Sequence, residues 1–346
     1  MICTAPEFAD LAGRMTLVDV RSPGEYARGH IPGAVSMPLF SDAERHVVGL
    51  TYAHVGKDAA VKVGLELVGP KLRSFVEDAE SFAPGREVLV YCWRGGMRSG
   101  SLSWLLATAG FTVRTLQGGY KAWRRYARSL FEEQRRYVVV GGATGSGKTK
   151  LLQSLEEAGE AVLDLERDAC HRGSAFGRIG QSEQPTQEHF ENRVAYRLHH
   201  LRTAKYIWME DESRGIGKVE IPEPLWKQLL AAPVFHMRVP TEHRVANLVE
   251  DYGNAPSAEL NDALSRIARR LRPEYAREAF AALSEGRTDR VAELCLEYYD
   301  KYYARSIDQR EPRNIFTRTY TTFDLPAISV DARTIARQIV DVHNVE

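Results

Sequence analysis

No stretch of this chain reaches about 18 uninterrupted apolar residues, so the sequence carries no transmembrane helix and no membrane partner is expected. Net charge is absent too. With 46 Lys and Arg against 46 Asp and Glu, no global field advertises nucleic acid, and any such binding must be local. Cysteine is scarce: Cys3, Cys92, Cys170 and Cys295 show no paired spacing such as C-x-x-C. That argues against a zinc site or a disulfide framework and for a reducing cytosol. The opening Met-Ile-Cys-Thr-Ala-Pro-Glu has neither the basic start nor the apolar core of a signal peptide. What is present is 346 residues of 44% hydrophobic content, enough for two ordinary domains with real cores.

The chain is organised around Tyr91-Cys92-Trp93-Arg94-Gly95-Gly96-Met97-Arg98-Ser99, which follows the apolar run Val88-Leu89-Val90 and precedes a helical pattern. A cysteine at a strand's end, with glycines behind it, sits where backbone N–H groups and a helix N-terminus surround the sulfur with partial positive charge. Arg98 closes the ring, and Arg94 stands inside it. Such a site lowers a thiol's pKa and makes Cys92 a nucleophile or a carrier.

Three flanking stretches fix the context. Upstream are Leu17-Val18-Asp19-Val20-Arg21-Ser22-Pro23-Gly24-Glu25-Tyr26 and Gly29-His30-Ile31-Pro32-Gly33-Ala34; downstream is Leu116-Gln117-Gly118-Gly119-Tyr120-Lys121-Ala122-Trp123. With the cysteine loop between them, residues 1–128 resemble a rhodanese domain. The resemblance implies a small parallel α/β sheet and a cysteine carrying sulfur or selenium. From Cys92 to Arg98 the loop counts seven residues, the C-x5-R spacing also seen in cysteine phosphatases, long enough for a tetrahedral phosphate-like group. Tyr91 stands where those phosphatases carry histidine.

A second chemical loop opens after Tyr137-Val138-Val139-Val140, a strand by β-branching. Gly142, Gly145, Ser146, Gly147, Lys148 and Thr149 form a P-loop between that strand and the helical Leu151, Leu152, Leu155 pattern. Its N–H groups and Lys148 suit a phosphate or diphosphate, and Thr149 suits Mg²⁺. Tyr206-Ile207-Trp208-Met209 leads into Glu210-Asp211-Glu212, where Glu210 or Asp211 is the expected metal partner. Between them, 161–166 reads as a strand and 170–177 as the loop beyond it, which makes His171, Arg172 and Ser174 phosphate or base contacts.

The rest is mainly helical. A helix over 120–136 carries Arg124, Arg125 and Arg128, with 129–136 linking the domains. A helix over 186–202 shows a Phe190, Val194, Leu198, Leu201 stripe and a wet basic side bearing His189, Arg193 and His199. Thr241 opens another, whose Arg244 reaches phosphate or is simply exposed. In the helical region around 256–304, Arg266, Arg269, Arg270, Arg272 and Arg277 lie off the Leu260, Leu264, Ile267, Leu271 stripe and make the candidate surface for a large polyanion. The tail returns to β over 319–323 and ends in a helix over 332–342. The fold class is α/β: a rhodanese-like parallel-sheet domain, then a P-loop NTPase-like domain (137–346) with a helical C-terminal portion.

Taken together, the loop from Cys92 to Ser99, Gly141 to Thr149, His171-Arg172-Gly173-Ser174-Ala175-Phe176-Gly177 and Glu210-Asp211-Glu212-Ser213-Arg214 resemble the tRNA 2-selenouridine synthases. The resemblance implies conversion of wobble 2-thiouridine in Lys, Glu and Gln tRNAs to 2-selenouridine. It implies S-geranylation from geranyl diphosphate, then selenation from selenophosphate, with Cys92 as a candidate perselenide carrier. Trp93, Trp208, Tyr206 and the Arg266–Arg277 face remain open for stacking the wobble base. Whether ATP enters the P-loop stays open, as does the oligomeric state. The competing reading is an ATP-dependent sulfurtransferase or kinase fusion.

Overall fold

The computed structural model describes Met1–Ile307 and Arg310–Val342, and the chain divides into two compact units. The first is Met1–Phe131 together with Glu188–His200; the second is Glu132–Gln187 and Leu201 onward. The first unit holds strands β1 (Ile2–Cys3), β2 (Thr16–Asp19), β3 (Val35–Ser36), β4 (Glu87–Tyr91) and β5 (Thr112–Leu116). They form one parallel sheet in the order β1-β5-β4-β2-β3. Val88, Leu89 and Val90 are fully buried, as a central parallel strand covered on both faces requires. That strand delivers Cys92 at its carboxyl end, where such sheets present their ligand loops.

The flanking motifs brace this loop. Tyr120 N–H donates to the Cys92 carbonyl at 2.8 Å, and Lys121 N–H to that of Trp93 at 3.0 Å. Gly119 has φ +60°, and a Cβ there would strike the Cys92 carbonyl and the Gly95 nitrogen, so only glycine fits. Upstream, the buried Arg21 is forked onto Asp19 at 2.6–3.0 Å and lies 3.7 Å over the Tyr120 ring.

Two expectations are corrected here. The helix of this region runs Gly119–Glu132 and ends there, so no linking helix covers 129–136. The basic side of the helix Gln187–His200 is only partly wet: its residues from Glu188 belong to the first unit, where Asn192 and His199 are buried, His189, Arg193 and Arg197 are half-buried and His200 is exposed. Asn192 accepts from Trp123 Nε1 at 3.0 Å and from Arg124 at 2.8 Å, and Tyr126 meets His199 at 2.7 Å. Arg124 is therefore an internal strut of the first unit.

The second unit contains β6 (Tyr137–Gly142), β7 (Val162–Leu163), β8 (Ile207–Glu210), β9 (Gly215–Ile216), β10 (Val219–Glu220), β11 (Val234–Arg238) and β12 (Ile315–Thr319). The main sheet is parallel in the order β12-β11-β6-β8-β7, and β9 and β10 form a small antiparallel pair. Val140 pairs with Glu210 in register, so the P-loop and the acidic strand end leave the sheet side by side. Three helices, Ser257–Ala268, Pro273–Ser284 and Thr288–Ile307, enclose a separate apolar cluster.

The expected 161–166 strand is only two residues long. Asp164 leaves it to cap the helix Leu165–Ala169, accepting from Arg167 N–H at 2.8 Å. The tail strand is Ile315–Thr319 instead of 319–323, and the last helix begins at Leu325 instead of 332. Among the described residues no helix is long and apolar enough to cross a membrane.

Candidate active sites

Cys92 lies just past β4 and is 3% exposed. Its sulfur is 3.2 Å from Ser99 Oγ, which also meets the Gly96 carbonyl at 3.1 Å. Burial pushes the thiol up, but hydrogen bonds from Ser99 Oγ and from the Ser99, Gly96 and Arg94 N–H groups outweigh it and bring it below the ordinary value. The field around the sulfur is thus built by the Ser99 hydroxyl and by main chain at the start of the helix Met97–Thr108. Arg98 is held by Glu25 at 2.7 Å, and Arg94 is exposed.

In the second unit, one cavity of about 720 Å³ is walled by the P-loop. Gly142, Gly145, Gly147, Lys148, Thr149, Arg172 and Ser174 line it; Ser146 is buried against Gly142 and His171 is not in the lining. Gly145 and Gly147 have φ +79° and +83°, the left-handed geometry that turns successive N–H groups toward one anion. Lys148 Nζ donates to the Gly142 carbonyl at 3.1 Å and stands 4.0 Å from Glu210. The helix Thr241–Tyr252 supports the loop. Arg244, buried and paired with Asp300 at 2.5 Å, donates to the Thr144 carbonyl at 2.8 Å; Asn247 donates to Gly145 at 2.9 Å. Arg244 thus props the loop instead of reaching through it. Arg172 is 3.3 Å from Asp251 and 5.4 Å over the Tyr252 ring.

The carboxylates that meet are Glu166, Glu210 and Glu212, with one oxygen of each within 4.8 Å of the others. Thr149 Oγ1 is 3.3 Å from both Glu166 and Glu210. Asp211, named from the sequence as a metal ligand, is not in this group. It is sealed in a buried pair with Arg310 at 2.6 Å and approached by Tyr303 at 3.4 Å. Sequence reasoning passed over Glu166, whose signal was an acid in the first turn after a strand beside a P-loop.

Burial, then Glu212, raises Glu166 far above the carboxylate range; burial, then Glu166, does the same to Glu210; burial and Glu210 push Glu212 up to about 8. Lys148 opposes all three shifts without cancelling them. Buried Glu210 Oε2 has no hydrogen-bond partner among the described residues. Like charges this close ionise together only around a cation, and an all-oxygen set of carboxylates and a hydroxyl suits Mg²⁺. A carboxyl raised when folded binds more protons than the unfolded chain between about pH 4.5 and 8, so stability falls as pH rises through that window. Without divalent cations, the melting temperature is expected to drop from pH 5 to pH 8. Added Mg²⁺ is expected to restore it most at pH 8; a flat profile in thermal denaturation would contradict the cluster.

The proposed tRNA arginines, Arg266, Arg269, Arg270, Arg272 and Arg277, are all exposed. Arg272 pairs with Glu297 at 2.9 Å and Arg270 donates to Tyr298 at 2.9 Å. Trp208 is fully buried on β8 and leaves the set of base-stacking candidates, whereas Trp93 is half-buried beside Tyr120.

The family model described as a rhodanese-like domain matches residues 4–126, and that described as the tRNA 2-selenouridine synthase AAA domain matches residues 135–268. A tRNA 2-selenouridine synthase from Cupriavidus pinatubonensis is 35% identical over 337 residues, spanning 87% of this chain and 91% of that protein. One from Bordetella petrii is 37% identical over 337 residues, with 87% and 89% covered. One from Chromohalobacter salexigens is 36% identical, with 88% and 91% covered.

Proposed function

The chain belongs to the tRNA 2-selenouridine synthase family, and from that premise we propose that it converts wobble 2-thiouridine of tRNA to 2-selenouridine in two steps. In the first, the 2-thiouridine sulfur attacks C1 of geranyl diphosphate, the C–O bond breaks, diphosphate departs and the base loses its N3 proton. The P-loop N–H groups and Lys148 hold that diphosphate, and Arg172 borders the same cavity. Thr149, Glu166 and Glu210 would hold Mg²⁺, which when bound neutralises part of the diphosphate charge.

In the second step the geranylated sulfur is the leaving group. A Cys92 perselenide made from selenophosphate would expel phosphorus as phosphite and would need a second thiol to free the selenium. Nucleophilic exchange needs neither. The Cys92 thiolate attacks C2 and expels geranylthiolate; selenium of selenophosphate then displaces Cys92, and water cleaves the P–Se bond to give phosphate. Each bond is made and broken by an electron pair, with no oxidant or reductant. The lowered thiol pKa supports this role.

The observation that carries the reading is the presence in one chain of two anion cradles, each at the carboxyl end of a parallel sheet, one holding a thiol and the other facing a carboxylate cluster. With protein, Mg²⁺ and geranyl diphosphate, inorganic diphosphate is expected only once 2-thiouridine tRNA is added. ATP hydrolysis independent of tRNA, with geranyl diphosphate untouched, would favour the kinase-linked sulfurtransferase.

A further inference from the structure

A second cleft in the P-loop unit is lined by Leu260, Leu283, Val291, Ala292 and Cys295 from the helices Ser257–Ala268, Pro273–Ser284 and Thr288–Ile307. It shares Thr144, Ser174, Leu248, Tyr252 and Tyr299 with the polar cavity, so the two spaces have a common wall beside the phosphate loop. Leu248 lies against that loop, within 3.1 Å of where a Cβ on Gly145 would be. The cleft measures about 50 Å³ against about 720 Å³ for the polar cavity. It is a small slot with a mostly apolar lining, set beside the polar cavity. Cys295 adds no charge, because burial pushes its thiol up to about 12 and leaves it a small neutral hydrophobe. A nucleobase here would lose its hydrogen bonds to water without replacement, whereas a hydrocarbon loses none.

We propose that this cleft is the hydrocarbon subsite of the P-loop unit, taking the prenyl chain of a diphosphate whose head group sits on Gly142–Thr149, and that its helices set the chain length accepted. The proposal rests on the prenyl-transfer reading and deepens it. An apolar slot opening beside an anion cradle matches one amphiphile, a phosphorylated end on a slender hydrophobic tail. Ala292, half-exposed on the helix Thr288–Ile307, and Thr288 at that helix's start offer ways to fill the slot without touching the phosphate loop.

The test compares kcat/KM for geranyl and dimethylallyl diphosphates with 2-thiouridine tRNA in the full-length protein, wild type, Ala292→Phe and Thr288→Phe. Filling the slot is expected to lower the ten-carbon to five-carbon ratio by at least about tenfold, because the longer chain loses most of its burial. Inhibition by inorganic diphosphate is expected to stay within about twofold of wild type, since the head-group donors are unchanged. Two variants protect the test against one that fails to fold, and thermal denaturation identifies it. Wild-type protein that transfers geranyl, with a chain-length ratio unchanged in every folded variant, would overturn the subsite alone. Wild-type protein that transfers neither prenyl group would overturn the transfer reading and the subsite with it.

Discussion

Replacing Lys148 with alanine is expected to slow geranylation of 2-thiouridine tRNA by about 10²–10³-fold, the usual effect of removing one preorganised donor from a developing anion, or about 2.7–4 kcal/mol. Selenation of tRNA supplied already geranylated is expected to stay near the wild-type rate. The separation follows from placement: Lys148 belongs to the P-loop cavity and contacts Gly142 and Glu210, whereas the thiol cradle is built from Arg94, Gly96 and Ser99. Lys148 also opposes the raised pKa of Glu166, Glu210 and Glu212. Its loss pushes all three further toward the protonated form and weakens any hold on Mg²⁺. Raising Mg²⁺ is therefore expected to recover part of the lost rate. Rate assays on the two tRNA substrates decide the matter, and selenation lost while geranylation survives would reverse the division of labour.

Cys92→Ala is expected to give the opposite pattern, with selenation of pre-geranylated tRNA reduced by at least about 10²-fold and geranylation spared. The substitution removes the thiolate and leaves the anion cradle in place. Cys92→Ser keeps the shape but offers a hydroxyl that does not ionise near neutral pH, so it is expected to be nearly as impaired. Either variant selenating at the wild-type rate would remove Cys92 from the chemistry. Mass analysis of stalled wild-type protein, given geranylated tRNA without selenophosphate, is expected to show a Cys92–tRNA adduct and free geranylthiol.

Contiguous chemistry was legible in the sequence, and chemistry assembled across the fold was only partly so. The Cys92 loop and the P-loop are single stretches whose glycines and charges declare an anion site, and both lie where the strand-loop-helix pattern puts them. The acidic site is different. Glu210, Asp211 and Glu212 are neighbours in sequence, but extended backbone alternates its side chains. Glu210 and Glu212 turn toward Thr149 and Glu166, while Asp211 goes to Arg310. Glu166 was hidden because β7 stops after two residues and a short helix swings that acid inward. Part of the polar face of the helix Gln187–His200, at Asn192 and His199, is an internal hydrogen-bonded seam, and residue type alone does not distinguish that part from a solvated surface. The last helix starts before 332 because Asp324 accepts from Ala327 N–H and Pro326 sits in the first turn.

The central claim is that one chain performs two successive substitutions on the same base. Nucleoside mass analysis tests it most directly, using 2-thiouridine tRNA incubated with the protein and Mg²⁺, first with geranyl diphosphate alone and then with selenophosphate. The account predicts a geranyl-sized gain on 2-thiouridine, followed by its conversion to 2-selenouridine with release of geranylthiol. No change to the nucleoside under either condition, with ATP hydrolysed instead, would contradict it.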